Sequence, residues 1–311
     1  MKVSVIIPFY NAFSFLEKSV FSALNQDETG ELILIDDHST DNSLDLVKKL
    51  QQKDDRIIIL QNNSNISGAA ISRNVGVHHA SHEYIAFLDA DDYYLPERFT
   101  SDVLLFLNNP DIDAVVNSVQ IKLQKGEKQF ILNSFYIHNE LLGFLRSFSP
   151  IEINDFIAGF NLHLNGLTIR KSIFQKTGGF DGYLKQAEDR DFYLRLFSEA
   201  KVISADIKIA KAIYFIHTEN SIQKINEAVY YRRMAAKKHF FQKISINSAW
   251  SFKVKKWKSF LEYDFLWLFK KDLPYKKWIK ILLLPVFIYR LFSKNDPLFD
   301  INRTIPPTSH K

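Results

Sequence analysis

The sequence predicts an α/β fold, a mostly parallel sheet flanked by helices, followed by a basic, aromatic-rich helical C-terminal extension. Three observations carry this expectation. Short apolar runs alternate with helical patterns over the first 95 residues, two of those runs end in acidic clusters, and composition shifts sharply near residue 220.

Residues 3–7 read as a buried strand. In the next segment Ser14 and Glu17 have the spacing of a capping box, and Leu16, Val20 and Leu24 recur four apart on one helix face. Strands follow at residues 31–35, 56–60 and 84–88, with helices at about 42–50 and 69–80 between them. Beyond Pro96 the pattern is mixed: a helix to about Asn108, a strand over 114–121, a hairpin at 125–127, a short strand at 167–169 and a helix from near Ala187.

The 311 residues suit one large domain or a domain with an appendage, and 46% hydrophobic against 24% charged residues excludes global disorder. The absence of cysteine excludes disulfides, thiolate metal sites and cysteine nucleophiles, and fits a reducing compartment. No secretory leader and no simple transmembrane helix are expected, since the first apolar run, residues 3–7, ends at Pro8 and no apolar run reaches about 18 residues. Dinucleotide, P-loop and nucleophile-elbow glycine motifs are missing too.

In parallel α/β sheets ligands bind beyond the carboxyl ends of the strands. Asp89-Ala90-Asp91-Asp92 stands at the fourth such end. Asp89 and Asp91 offer the hard oxygen ligands that Mg²⁺ or Mn²⁺ prefers, although an acidic turn before the next helix, with Asp92 structural, has the same appearance. At the second end, Asp36-Asp37 can receive a hydrogen bond from a base or ribose, or cap the following helix with Ser39 and Asp41. Arg73 suits either a phosphate or a salt bridge to Asp36. In Glu188-Asp189-Arg190-Asp191 helical spacing puts Glu188 and Asp191 on one face, and a carboxylate there is either a general base or a solvated first turn. His217, after an apolar run, is either a neutral metal ligand or a structural histidine, whereas His78, His79, His82 and His163 show no partner pattern.

Six blocks, at residues 3–11 (VSVIIPFYN), 31–43 (ELILIDDHSTDNS), 68–76 (GAAISRNVG), 83–92 (EYIAFLDADD), 178–181 (GGFD) and 188–196 (EDRDFYLRL), follow in the order and spacing of family 2 glycosyltransferases. On this resemblance the chain is similar to that family over roughly residues 1–220. The resemblance implies a GT-A, Rossmann-like catalytic domain and an inverting transferase that uses a nucleotide-sugar, most often UDP-linked, with Mn²⁺ or Mg²⁺. It implies Pro8, Tyr10, Asp37, Arg73 and Ala90 at the nucleotide, and Asp89, Asp91 and His217 at the metal. Asp189 is the implied base, with Glu188 beside it. Ser72 stands where the family often has alanine.

Residues 221–311 hold 19 Lys and Arg against 6 Asp and Glu, together with all four tryptophans. Trp257, Leu261, Phe265 and Leu268 recur at helical spacing between lysine clusters. Such a face suits either an anionic membrane surface or packing on the catalytic domain. Nucleic acid is not an expected partner. The acceptor implied is a glycan or lipid-linked glycan in bacterial surface polysaccharide synthesis. A cytoplasmic location is expected, with peripheral attachment at the inner membrane face left open. Two alternatives compete: a sugar-1-phosphate nucleotidyltransferase, which wants a basic glycine-rich loop where Pro8-Phe9-Tyr10-Asn11 stands, and a sugar-nucleotide binding module without activity, which would lack the carboxylates.

Overall fold

The computed structural model describes residues 1–125, 128–135, 162–205 and 207–217. The expected C-terminal region, residues 221–311, lies outside the described residues.

Strands β1 (Val3–Phe9), β2 (Thr29–Asp36), β3 (Ile57–Gln61) and β4 (Tyr84–Phe87) alternate with helices α1 (Phe13–Leu24), α2 (Ser43–Gln51) and α3 (Ala69–His79). Chain order continues through β5 (Tyr93–Tyr94), α4 (Thr100–Asn108), β6 (Ala114–Val116), β7 (Val119–Lys125) and β8 (Lys128–Phe135). It ends with β9 (Leu167–Arg170), α5 (Lys171–Lys176), α6 (Glu188–Glu199), β10 (Val202–Ser204) and β11 (Ala212–Ile216).

A seven-stranded sheet has the order β10-β6-β9-β4-β1-β2-β3 and is parallel except where β9 runs against β4 and β6. Strand β1 is buried throughout because both of its faces are covered. Ile6 faces one core with Ala70 and Val77 of α3 and Phe192 and Leu196 of α6. Val3, Val5, Ile7 and Phe9 face the other, with Leu16, Val20 and Leu24 of α1 and Val47 of α2. The four-apart leucine and valine pattern is therefore the buried face of α1.

Three local expectations need correction. Ser14 and Glu17 form no capping box, since α1 begins at Phe13 without a cap from its own side chains. Its orphan N–H groups are satisfied from the approach to α2: Ala12 donates to Oγ of Ser43, the first residue of α2, at 2.9 Å and Phe13 to Asp41 Oδ2 at 3.1 Å. The helix after Pro96 starts only at Thr100, because Glu97 has φ 59° and breaks the helical path. The strand over 114–121 is two strands in two sheets: β6 ends at Val116, and after Asn117-Ser118 the chain enters a four-stranded sheet of order β5-β11-β7-β8. In that sheet β7 and β8 pair antiparallel through Lys125 opposite Lys128, as the expected hairpin requires.

Candidate active site

The site lies beyond the carboxyl ends of β1 to β4. After β1 and β2 the loops are tied together: Asn11, at φ 48°, receives the Thr40 N–H on Oδ1 at 2.7 Å. Asp36 turns inward, accepting the Ser39 N–H at 2.9 Å, and leaves Asp37 at the cleft. Asn62 Nδ2 donates to Asp37 Oδ1 at 2.6 Å and the Gly68 N–H to Oδ2 at 2.7 Å. Gly68 has φ 138°, which side chains rarely adopt, so glycine lets α3 begin with its first N–H aimed at Asp37. Pro8 is buried in β1, and Tyr10 just beyond it is 59% exposed.

The acidic segment is a tight turn, with the Asp92 N–H donating to the Asp89 carbonyl at 3.0 Å. Its three carboxylates have three surroundings. Asp89 Oδ1 accepts from Arg73 at 2.5 Å. Burial alone would raise the Asp89 carboxyl, but the adjacent guanidinium prevails and holds it below its ordinary value. Asp91 Oδ2 lies 3.1 Å from His217 Nε2, and burial together with the charge of Asp89 raises its carboxyl. Asp92 is wholly inside, accepting the Phe215 N–H at 2.7 Å and Asn165 Nδ2 at 2.6 Å. Burial, then repulsion from Asp91 and Asp89, raises Asp92 well above the usual carboxylate range.

Arg73 joins the acidic turn to the start of α6. Besides Asp89 it donates to Glu188 Oε1 at 2.8 Å, and its partner is not Asp36. Burial lowers the affinity of this guanidinium for its proton, yet Asp89 and Glu188 outweigh that and keep it charged. Glu188 is raised to about 7, because burial and the neighbouring Asp189 outweigh its share of one arginine. Asp189 is partly buried and accepts the Arg190 N–H at 2.6 Å. Asp191 does not share the role of Glu188: it is buried and paired with Arg195 at 2.6 Å.

Two residues escaped the sequence reasoning. His163 Nε2 lies 3.9 Å from both Asp89 and Asp92, with burial lowering its proton affinity. Asn165, wholly buried, bonds to both Asp89 and Asp92. The one signal was an asparagine and a glycine set among Leu162, Leu164 and Leu167.

Could these residues hold a divalent cation? Asp89, Asp92 and His163 have ligand atoms within 4.8 Å of one another. A cation on Asp92, however, would compete with two hydrogen bonds already made to a buried carboxylate. Asp91 and His217, 3.1 Å apart, lie outside that group, although burial and the charge of Asp89 raise the Asp91 carboxyl, as crowded negative charge does.

Among the described residues, no helix is long and apolar enough to cross a membrane. The family model described as Glycosyl transferase family 2 matches residues 4–178. The chain is 30% identical over 231 residues to the UDP-Glc:alpha-D-GlcNAc-diphosphoundecaprenol beta-1,3-glucosyltransferase WfaP of Escherichia coli, covering 73% of this chain and 82% of that one. It is 27% identical over 249 residues to an uncharacterized glycosyltransferase of Methanocaldococcus jannaschii, covering 78% and 80%. A 38% identical match to an uncharacterized glycosyltransferase of Haemophilus influenzae covers 34% of this chain and only 43% of that relative. In fold it resembles S. aureus TarS 1-349 in complex with UDP-GlcNAc, at TM-score 0.61 and 20% identity, covering 93% of this chain and 81% of that one. The family model covers more than half of the chain and the fold agrees, so the chain belongs to glycosyl transferase family 2, with a GT-A fold.

Proposed function

We propose that this chain is an inverting transferase that moves a sugar from a UDP-sugar to an acceptor hydroxyl during assembly of a cell-surface polymer or lipid-linked glycan. The observation that carries the reading is Arg73, which holds Asp89 and Glu188 on one buried guanidinium and so fixes the donor end of the cleft to its base end. The names of the E. coli and S. aureus relatives support the UDP-linked donor.

In this reading Asp37, steadied by Asn62 and Gly68, accepts from the base, while Pro8, Tyr10 and Ala90 line the nucleoside. Arg73 serves the nucleotide by holding Asp89. Asp89, Asp91 and His217 would hold Mn²⁺ or Mg²⁺, which when bound supplies positive charge to the diphosphate. Asp189 takes the acceptor hydroxyl proton as that oxygen bonds to the anomeric carbon, on the face opposite the breaking bond to diphosphate. Glu188 keeps Arg73 in place beside it. Residues 1–220 form the catalytic domain on this view, and the basic residues 221–311 meet an anionic lipid surface from the cytoplasmic side.

A panel of UDP-, GDP- and dTDP-sugars, titrated with and without Mn²⁺, tests the assignment. Metal-dependent binding confined to the UDP series is the expected outcome. Equal indifference to every nucleotide, with or without metal, would sink it.

A further inference from the structure

Four polar groups beneath the acidic turn form one directional chain. The Phe215 N–H donates to Asp92 Oδ1 at 2.7 Å, and Asn165 Nδ2 donates to Asp92 Oδ2 at 2.6 Å. The other end of the same amide, Asn165 Oδ1, accepts the Asp89 N–H at 3.1 Å. Asn165 and Asp92 have 0% and 1% exposure, so water does not complete these bonds. One asparagine therefore clamps both ends of the turn: the backbone at Asp89 and the carboxylate at Asp92.

The asparagine is itself held from below. Its carbonyl accepts Arg98 Nε at 3.0 Å. The adjoining Gly166 presses on the Asn117 carbonyl, where an added Cβ would come within 2.5 Å of the oxygen. Asn117 is fastened in turn to Asp102 at 2.8 Å. The amide thus has one position and one sense available.

We propose that Asn165 is a positioning residue for donor binding: it turns Asp92 away from the cleft and fixes the backbone of Asp89, so that Asp89 and Asp91 face the diphosphate side. The inference rests on the reading above that the acidic turn serves a nucleotide-sugar.

The chain of bonds can be reversed by exchanging the two side chains. In D92N, position 92 must still accept from Phe215, so its new N–H groups face those of Asn165, and one donor meets a donor whichever amide flips. In N165D, two carboxylate oxygens face each other instead. In D92N/N165D, the Phe215 N–H donates to the amide oxygen at position 92. The amide nitrogen there donates to one carboxylate oxygen at position 165, whose other oxygen accepts from the Asp89 N–H. Every bond is rebuilt, with one carboxyl and one amide at the two positions as in the natural protein.

The experiment measures UDP affinity by calorimetry in Mn²⁺, and kcat and KM separately, for the natural protein, N165L, D92N and the double variant. All are held where circular dichroism shows them folded. N165L and D92N are expected to lose about tenfold in UDP affinity, seen as raised KM more than lowered kcat, and the double variant to return within about threefold. Stability alone would not move the affinity of folded protein. If the double variant stays as weak as D92N, the Asp92 carboxylate is needed for itself and the positioning role is overturned. Natural-protein affinity in N165L overturns it equally. Failure of the natural protein to bind UDP would instead overturn the nucleotide-sugar reading, which separates the two.

Discussion

Arg98 and Arg73 are both buried and both meet carboxylates, but their surroundings differ in balance. Arg98 faces a single carboxylate, Asp102, at 2.8 Å, and its other donors go to the Asn165 carbonyl and Thr168. Asp102 is completed by Asn117 and Thr168, and both Arg98 and Asp102 have 0% exposure. Arg73 faces two carboxylates, Asp89 and Glu188, and its Nε has no partner among the described residues. One positive charge meets one negative charge with every bond made in the first place, and one meets two in the second. The balanced arrangement holds the fold, whereas the unbalanced one keeps negative charge available at the cleft. Burial by itself does not distinguish the two; the count of opposing charges does.

The strongest way to break this comparison is Arg98→Met. It leaves Asp102 buried without a counter-charge and is expected to cost about 3–5 kcal/mol of stability, read from urea unfolding. Arg73→Met should cost about half as much, because Asp89 and Glu188 lie nearer solvent, yet should abolish transfer. Equal losses of stability would erase the distinction. Next in size, Asp189→Asn is expected to keep UDP affinity and lose about a hundredfold or more in turnover. Turnover like that of the natural protein would move the base elsewhere.

A pH-dependent effect sharpens the unbalanced side. Glu188 is raised from 4.5 to about 7, so the folded state favours its protonated form. Its stabilising contribution is complete below about pH 4.5 and is lost as pH rises through about 7. Glu188→Gln should therefore gain stability relative to the natural protein across that window and level off above it. Thermal melts at half-unit pH steps would show this; a variant that becomes relatively weaker as pH rises would mean that Arg73 dominates over burial.

The alternation of strands and helices was legible because β1 and β2 are buried on both faces and therefore read as unbroken apolar runs. The acidic turn was legible from its place at a strand end. What escaped depends on contacts far apart in the chain. Ser14 and Glu17 have the right local spacing for a cap, yet Asp41 and Ser43 supply it from the start of α2. Asp36 stood closer to Arg73 in sequence than Glu188, which is 115 residues away and becomes its partner. Asn165 was invisible because nothing nearby in sequence shows that β9 runs between β4 and β6 and brings the preceding turn beneath Asp89.

That placement of β9 has a consequence for biosynthesis. Strand β4 is ready to pair with β1 once residue 87 has been made, but its other edge is covered only by β9, which ends at Arg170. At about 5–20 residues per second, that edge stays open for roughly 4–17 s while the intervening chain is translated. An uncovered apolar strand is a template for foreign pairing. The nascent first half of the sheet must therefore wait, sticky on one side, for the segment that also delivers Asn165.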